Sequence, residues 1–249
     1  MFNNSPNNNN IIISIEGNIG SGKSTLLANL KEHFKDNSSI LFLKEPVDDW
    51  SCIKDIHGKT MLELFYEDQS KHAFAFQMMA YISRLSILKE TLQNNTNCTI
   101  ITERSLYTDK MVFAKMLFDS NNISLENYSI YNKWFDTFVD CFCVNKIVYV
   151  QTIPIVCYDR IQKRSRAGES NIELSYLTNC HEYHEDMLNT RLESCVCKNQ
   201  LVLNGNVDIY DNPDQLTLWI KHVEDFILAN KSCSNHTDTI FINNYNNII

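Results

Sequence analysis

The stretch that decides the fold is Ile11-Ile12-Ile13-Ser14-Ile15-Glu16-Gly17-Asn18-Ile19-Gly20-Ser21-Gly22-Lys23-Ser24-Thr25, in which an apolar segment runs directly into a glycine-rich loop. Its second half, Gly17 to Ser24, fits the pattern G-x-x-x-x-G-K-[ST]. The β-branched residues before the loop predict a strand, and the spacing of Leu26, Leu30 and Phe34 predicts a helix after it. A chance glycine loop would lack this strand and helix, so the stretch is interpreted as a P-loop that binds a nucleoside triphosphate.

Each fixed position of this loop has a physical reason. Gly17, Gly20 and Gly22 let the backbone turn with its N–H groups pointing inward, and the following helix adds about half a positive charge at its N-terminus. The loop from Gly17 to Thr25 is therefore expected to hold the phosphates. Lys23 is expected to reach the β- and γ-phosphates, and the Ser24 hydroxyl to bind the Mg²⁺ that bridges them.

Composition narrows the class of protein. A chain of 249 residues that is 44% hydrophobic suits one α/β domain with a full core. The formal net charge of −8 and the pI near 5.3 argue against nucleic acid or an anionic membrane as the main partner. No apolar run approaches the roughly 20 residues of a membrane-spanning helix, and the segment Met1–Pro6 lacks the features of a signal peptide. A soluble, cytoplasmic protein is expected.

The two ends of the chain are rich in asparagine. Neither end shows apolar periodicity, so residues 1–10 and 231–249 are predicted to be disordered. Residues 11–230 are predicted to form a single domain, because no linker or internal repeat interrupts them.

Cysteine and histidine patterns give no firm metal site. The nine cysteines predict reduced, mostly buried thiols. Cys141-x-Cys143 and Cys195-x-Cys197 each leave one intervening residue where zinc sites usually use two to four, so zinc is the disfavoured alternative. In His181-Glu182-Tyr183-His184 the histidines are three residues apart, not four as in the H-E-x-x-H motif of metalloproteases.

Charged residues follow two further predicted strands. Ile40–Lys44 is followed by Glu45, and Cys98–Thr102 is followed by Glu103-Arg104-Ser105. Parallel strands end at the same edge of a sheet, where ligands bind, so these side chains are expected beside the P-loop phosphates. The Glu103 carboxylate is suited to bind the magnesium ion, directly or through water. The Arg104 guanidinium is suited to stabilise the charge on a transferring phosphoryl group. A solvated loop acid for Glu45 and a structural Glu103–Arg104 ion pair are the alternatives.

A predicted helix from about Ala73 to Leu92 carries a polar row. Gln77, Ala80 and Arg84 stand at i, i+3 and i+7 and so share one face. Their apolar neighbours would satisfy a core, which indicates that the row lines a pocket. A plain solvent face explains the spacing equally well.

A basic segment, Arg160-Ile161-Gln162-Lys163-Arg164-Ser165-Arg166, is interpreted as a helical lid over the triphosphate. Arg160 and Arg164 are four residues apart, where like charges on a helix repel by about a few tenths of a kcal/mol. A bound polyanion would neutralise them, and a solvated basic helix is the alternative. Apolar patterns predict the remaining elements: helices Met61–Glu67, Tyr107–Asp119, Ser124–Asp140 and Pro213–Ala229, and strands Lys146–Val150 and Leu201–Leu203.

Five motifs follow one another in order: the P-loop, Glu45-Pro46-Val47-x-x-Trp50, Phe76-Gln77, Glu103-Arg104-Ser105 and Arg160-x-x-x-Arg164-x-Arg166. With them the chain resembles the deoxyribonucleoside kinases, the family of deoxycytidine, deoxyguanosine and mitochondrial thymidine kinases. The resemblance implies a P-loop NTPase fold: an α/β fold with a five-stranded parallel sheet flanked by helices, a helical lid, and usually a homodimer. It also implies a reaction in nucleotide salvage. The γ-phosphoryl group of ATP or another nucleoside triphosphate passes, with Mg²⁺, to the 5′-hydroxyl of a deoxyribonucleoside.

The resemblance assigns catalytic roles by position. It implies that Glu45 is the general base that takes the proton of the 5′-hydroxyl. Arg104 would stabilise the transferring phosphoryl group together with Lys23, and Glu103 would join Ser24 around Mg²⁺.

The resemblance also implies a nucleoside pocket. Tyr66 and Glu169 match the residues that hold the 3′-hydroxyl, so a 2′-deoxyribose is the expected sugar. The positions that match the base pocket are Trp50, Phe76, Gln77, Ala80, Arg84, Asp109 and Phe113. The alanine, arginine and aspartate in this set are those of the deoxycytidine and deoxyguanosine kinases, and the resemblance implies that Arg84 and Asp109 form an ion pair. Deoxyguanosine, deoxyadenosine or deoxycytidine is therefore expected as the substrate rather than thymidine.

Two other functions are compatible with the same fold. A nucleoside monophosphate kinase of thymidylate-kinase type is similar, but its acceptor is a phosphate that needs no base, so Glu45 argues against it. A catalytically silent structural subunit is the other alternative. The presence of Lys23, Glu45, Glu103 and Arg104 argues against silence.

Overall fold

The structure is a computed structural model that describes residues 9–139, 142–164, 166, 168–209, 211–229 and 239–242. Within these ranges one parallel sheet forms the centre of the molecule. Its strands are β1 Ile11–Glu16, β2 Ile40–Leu43, β3 Thr99–Glu103, β4 Lys146–Gln151, β5 Gln200–Asn204 and β6 Thr239–Ile242. The spatial order is β2-β3-β1-β4-β5-β6, so β1 lies between β3 and β4 and its P-loop emerges near the middle of the sheet.

Helices cover both faces of this sheet. They are α1 Lys23–His33, α2 Val47–Trp50, α3 Met61–Glu67, α4 Gln69–Asn94, α5 Leu106–Thr108, α6 Lys115–Asp119, α7 Leu125–Phe138, α8 Pro154–Arg164, α9 Leu174–Leu188 and α10 Pro213–Leu228. A π-helical segment, Asp109–Ala114, joins α5 to α6, and a 3₁₀ turn, Glu169–Asn171, precedes α9. Several helices begin at polar caps; Thr60 and Glu63, for example, form a capping box at the start of α3.

Alternation along β1 divides the core into two layers. Ile13 and Ile15 pack against α1 and α10, whereas Ile12 packs against α4 and α7. Strands buried on both faces are typical of parallel sheets covered by helices. Because all strands run the same way, the segments after β1, β2 and β3 leave the sheet at one edge, as the sequence predicted.

The α/β class, the parallel sheet and the flanking helices are confirmed, but two details of the prediction are wrong. The sheet has a sixth strand, because Thr239–Ile242 pairs in parallel with β5. These four residues were assigned to a disordered tail. Asn10 was assigned to the other tail, yet its amide donates to the Asn95 carbonyl and its side-chain oxygen accepts from the N–H of Cys98. Residues 1–8, 231–238 and 243–249 of the predicted tails lie outside the described residues.

Two further differences concern helices and thiols. The helix α9, which contains His181 and His184, was not predicted. Of the seven cysteines within the described ranges, only Cys157 and Cys180 are buried, so the prediction of mostly buried thiols is wrong. Cys52 and Cys143 lie instead in exposed connecting segments. Over the described ranges, no helix combines the length and the apolar character needed to cross a bilayer.

Candidate active site

A cavity of about 420 Å³ opens at the carboxyl edge of the sheet. The residues predicted from the sequence to bind nucleotide, nucleoside or metal all line this cavity, with three exceptions. Gly17, Asn18 and Arg84 do not line it but lie directly behind residues that do. The structure therefore brings together side chains that are separated by more than a hundred positions in the sequence.

The P-loop adopts a conformation that requires glycine. Gly17 and Gly20 have positive φ angles of 144° and 78°. A Cβ atom would stand 2.6 Å from the carbonyl oxygen of Val150 at Gly17, and 2.6 Å from that of Cys157 at Gly20. Side chains at either position would thus push the loop away from β4 and α8, which hold it against the sheet.

Lys23 is buried at the base of the loop, with its Nζ 2.6 Å from the carbonyl oxygen of Asn18. Burial and, to a lesser extent, the nearby Arg104 guanidinium lower the pKa of Lys23 to about 7, although Glu103 and Glu45 oppose this shift. A polyphosphate beside the amine would favour its charged form again. A bound anion would thus stabilise the charged form of Lys23, which burial alone disfavours.

Ser24 and Glu103 fit the predicted magnesium site. The Ser24 hydroxyl donates to Oε1 of Glu103 at 2.5 Å, which puts two hard oxygen ligands together at the N-terminus of α1. Mg²⁺ in phosphoryl-transfer enzymes is usually held by one or two such ligands together with substrate phosphates. Bound there, the ion would supply charge to the β- and γ-phosphates.

Glu45 lies between two arginines. Its Oε1 is 3.0 Å from Nη2 of Arg84 and 3.4 Å from Nε of Arg104. Burial alone would raise the pKa of Glu45, but Arg104, Arg84 and Lys23 outweigh burial and lower it. The carboxylate is therefore ionised at neutral pH and able to accept a proton. The solvated loop acid, the alternative for this residue, is not observed.

Arg104 is buried and held on several sides. Its backbone has a positive φ of 64°, unusual for a residue with a side chain. Its Nη1 donates to the carbonyl oxygen of Gly17 at 2.9 Å and lies 3.3 Å from Nε2 of His184. The guanidinium also lies over the Phe113 ring, 4.9 Å from its centroid. Arg104 pairs with Glu45, whereas Glu103 accepts a hydrogen bond from Ser24. The Glu103–Arg104 ion pair, the alternative for these two residues, is therefore not the arrangement observed.

The polar row on α4 faces the site, which settles the question that its spacing left open. Gln77 and Ala80 line the cavity, and Arg84 binds Asp109 through Nε at 2.9 Å and Nη2 at 3.4 Å. Arg84 also donates to the carbonyl oxygen of Glu103 at 2.6 Å. Burial raises the pKa of Asp109, although Arg84 opposes this effect. The guanidinium therefore links the base pocket to Glu45.

Aromatic rings form the wall around this polar row. The Phe65 and Phe76 rings stack at 4.6 Å between centroids, and Trp50 meets Phe76 edge-on at 5.6 Å. The Trp50 indole N–H donates to Oγ of Ser83 at 2.8 Å, which fixes its orientation. Flat apolar walls with a few polar groups suit a planar heterocycle.

Glu169 and Tyr66, the residues matched to a sugar hydroxyl, both line the cavity. Burial raises the pKa of Tyr66, so its hydroxyl stays a donor. Glu169 accepts from Nη2 of Arg164 and, at 3.2 Å, from Nη1 of Arg166. These two arginines, predicted to bind phosphate, therefore pair with a carboxylate a few residues later in the same segment.

Arg160 donates its hydrogen bonds to backbone carbonyls, which the sequence did not suggest. Its guanidinium donates to the carbonyl oxygens of Gly205 at 2.8 Å and Val207 at 3.0 Å, and to that of Ser21 in the P-loop at 3.3 Å. Backbone carbonyls and Glu169 thus offset the charge of Arg160 and Arg164 without a polyanion. Arg160 joins the P-loop to the segment after β5.

Several lining residues were missed. Leu62 stands one turn before Tyr66 on α3, and Lys163 stands three residues after Arg160, so helical spacing could have found these two. Phe65 directly precedes Tyr66, so helical spacing does not point to it. The segment Val207–Ile209 follows β5 at the same sheet edge. Trp219 comes from the distant helix α10, and no local signal points to it. His184, set aside with its failed metal motif, contacts Arg104 instead, and no group of three metal-binding side chains occurs among the described residues.

Fold and cavity together define a class: a P-loop phosphotransferase with a carboxylate beside the phosphate-binding loop and a pocket walled by aromatic rings. Residues 13–228 match the deoxynucleoside kinase family. The chain belongs to this family and is an enzyme, an ATP-dependent phosphotransferase.

Relatives with different substrates in their names are similar to the chain. A probable deoxycytidine kinase of Fowlpox virus (strain NVSL) is 33% identical over 86% of the chain and 87% of its own length. The mitochondrial deoxyguanosine kinase of Xenopus laevis is 29% identical over 80% of the chain and 83% of its length. The human mitochondrial thymidine kinase 2 is 32% identical over 71% of the chain and 64% of its length. The family is thus established, and the choice of base is a separate question.

Proposed function

We propose that the protein transfers the γ-phosphoryl group of ATP, or of another nucleoside triphosphate, to the 5′-hydroxyl of deoxyguanosine, deoxyadenosine or deoxycytidine rather than thymidine. The observation that carries the proposal is the Arg84–Asp109 pair, whose aspartate lines the cavity together with Gln77 and Ala80. Ala80 leaves room for a wide base. An aspartate oxygen suits an exocyclic amino group, and thymine has none.

The reaction follows from the groups around Glu45. The nucleoside would lie against the aromatic wall with its 5′-hydroxyl at the Glu45 carboxylate, which accepts the proton as the oxygen attacks the γ-phosphorus. Lys23 and Arg104 would stabilise the charge that develops on the phosphoryl oxygens. Tyr66 and Glu169 would hold the 3′-hydroxyl. Glu169 would then accept a hydrogen bond from this hydroxyl in addition to those from Arg164 and Arg166. Bound at Ser24 and Glu103, Mg²⁺ supplies further positive charge.

Turnover measurements test the proposal. We expect kcat/KM for deoxyguanosine, deoxyadenosine or deoxycytidine to exceed that for thymidine, since a site with buried polar groups rejects a base that leaves them unpaired. Glu45→Gln should lower kcat by about 10² to 10⁴ with every substrate, because base catalysis is lost. A wild-type preference for thymidine contradicts the pocket assignment, and near-full kcat in Glu45→Gln contradicts the assignment of the base.

Glu45 also weighs against the two other functions. A kinase that phosphorylates a monophosphate needs no base at the acceptor, and a silent subunit needs neither an ionised Glu45 nor the buried Lys23. Deoxythymidine monophosphate belongs in the same panel of acceptors. Turnover of this monophosphate, but of no nucleoside, would favour the monophosphate kinase.

A role in nucleotide salvage and a cytoplasmic homodimer complete the proposal. Ile130 and Trp134 stand four residues apart on α7 and are 47% and 45% exposed, which supports an apolar contact between two copies. We expect light scattering to give the mass of a dimer and Trp134→Glu to give that of a monomer. A monomeric wild-type protein would contradict the dimer.

A further inference from the structure

His184 lies outside the set of residues that the five motifs predicted, yet it touches the centre of the site. It stands on the inward face of α9 and is 0% exposed. Its Nε2 is 3.3 Å from Nη1 of Arg104, and its Nδ1 is 2.6 Å from the carbonyl oxygen of Cys180 one turn earlier. The imidazole thus connects the arginine to the backbone of α9.

The partners of the ring fix its protonation. A carbonyl oxygen only accepts hydrogen bonds, so Nδ1 carries the proton and donates to Cys180. In a neutral ring, Nε2 then has a lone pair and accepts from Arg104, which only donates. Burial lowers the pKa of His184 well below its usual range, and the charge of Arg104 lowers it further, in agreement with this neutral form.

We propose that His184 is a positioning residue: as a neutral acceptor, it holds the Arg104 guanidinium in the orientation needed to stabilise the transferring phosphoryl group. The inference depends on the role proposed above for Arg104. The Gly17 carbonyl and the Phe113 ring fix two other sides of the guanidinium. His184 adds a directional bond from a rigid helix.

The backbone of Arg104 explains why such support is useful. With φ at 64°, the residue occupies a conformation that side-chain-bearing residues adopt rarely, right after a strand end. The position of the strand alone therefore does not determine where the guanidinium points. In catalysis by positioned charge, a misplacement of about 1 Å can lower the rate by about 10². The rate should thus be more sensitive to His184 than substrate binding is.

Three variants at this position separate the two hydrogen bonds. His184→Leu removes both. In His184→Asn the amide replaces Nδ1, so it can reach Cys180 but not Arg104. In His184→Gln the amide oxygen can take the place of Nε2 and accept from Arg104. We expect kcat to fall by roughly 10 to 10² in the Leu and Asn variants, to recover to within about fivefold of wild type in Gln, and KM for the nucleoside to change less than about threefold.

His181→Leu is the matched control. His181 is on the same helix, and its nearest acidic partner is Glu185, with Nε2 and Oε1 3.8 Å apart. The same substitution there should leave kcat close to wild type. Melting temperatures and circular dichroism identify any variant that fails to fold. If Leu does not fold, the comparison of Asn with Gln decides.

A double-mutant cycle tests whether the effect passes through Arg104. In an Arg104→Met background, adding His184→Asn should produce no further loss of kcat, because the group that it positions is gone. Losses that multiply in the double variant, or wild-type kcat in folded His184→Asn, overturn the proposal. Absence of kinase activity in the wild-type protein would instead overturn the proposed function.

Discussion

Arg84 holds Glu45 from outside the cavity, with Nη2 of the arginine 3.0 Å from Oε1 of the glutamate. Arg84 is buried, does not line the cavity, and uses its other donors on Asp109 and the Glu103 carbonyl. An arginine expected from the sequence to read the base is thus also a support of the proposed catalytic base.

The first prediction concerns Arg84→Met. The Arg104 and Arg84 guanidiniums, together with Lys23, lower the pKa of Glu45 against the opposing effect of burial. Removing one cation disfavours the carboxylate, so the pKa of Glu45 should rise and Glu45 should be protonated at a higher pH. We therefore expect the acid limb of the kcat/KM profile to move to higher pH, which steady-state assays between pH 4.5 and 8 would measure.

Lys44→Met is the control for that shift. Lys44 is the cation next to Glu45 in the sequence, but its side chain is 67% exposed and pairs with Asp48. Its removal changes the net charge equally without touching Glu45. An acid limb that stays in place in Arg84→Met, or that moves equally in Lys44→Met, would contradict the coupling.

The second prediction concerns the stability of the nucleotide-free protein. The pKa of Lys23 is about 7 in the folded state, mainly because of burial, against 10.5 in the unfolded chain. Below pH 7 both states carry the charge, so folding bears the full cost of burying it. Between pH 7 and 10.5 the unfolded state binds more protons, and this cost fades as pH rises. Lys23→Met should thus raise the melting temperature most below pH 7 and least near pH 10.

Differential scanning fluorimetry across this pH range measures the effect, with Lys31→Met as the control. Lys31 is an exposed lysine on the same helix. A lower melting temperature for Lys23→Met at every pH would show that the buried ammonium is compensated in the empty site. Phosphoryl transfer should be lost in Lys23→Met in either case.

Local patterns were enough to predict the P-loop, the strand edge that carries Glu45 and Glu103, and the polar face of α4. These features depend on residues a few positions apart, where the periods of helix and strand determine which side chains share a face. The pairing of Arg84 with Asp109 was predicted as well, from the resemblance to the kinase family, and the structure confirms the contact.

Contacts between distant segments were not predictable in this way. Arg160 binds the carbonyls of Ser21 and Gly205, and His184 binds Arg104, across 139, 45 and 80 positions respectively. A backbone carbonyl has no residue-specific signal, and a buried histidine looks the same in sequence whether it fills a core or orients an arginine. The strand Thr239–Ile242 was missed because its short apolar run is enclosed by polar, asparagine-rich sequence.

The third prediction concerns Lys146, at the start of β4. Its Nζ donates to the carbonyls of Phe226 at 2.6 Å and Ala229 at 2.9 Å, where α10 ends. A cation that donates hydrogen bonds to the last carbonyls of a helix stabilises the helix. When these hydrogen bonds are lost, partly buried carbonyl oxygens are left without a donor. Lys146→Met should lower the free energy of unfolding by about 1 to 3 kcal/mol in urea titrations.

Lys221→Met provides the comparison, since Lys221 is exposed on the same α10 helix. We expect its effect to stay within about 0.5 kcal/mol. If the two variants were equally stable, the contacts of Lys146 would have no net stabilising effect.

The last prediction concerns substrate choice. In the double variant Arg84→Met/Asp109→Ala, the buried pair is replaced by apolar groups, so thymine no longer faces an Asp109 carboxylate to which it can offer no amino group. We expect the ratio of kcat/KM for thymidine to that for deoxyguanosine to rise by about 10² or more, since the wild-type ratio rests on buried polar groups. Either single variant should be worse than the double variant with thymidine, because Arg84→Met removes the cation bonded to Asp109, and Asp109→Ala removes one of the two carboxylates bonded to Arg84. Glu45 keeps its contact with Arg104, 3.4 Å away, so the chemical step should survive in the double variant. Side-by-side assays of the four proteins on both nucleosides measure these ratios. An unchanged ratio in the double variant would show that the pair supports Glu45 without selecting the base.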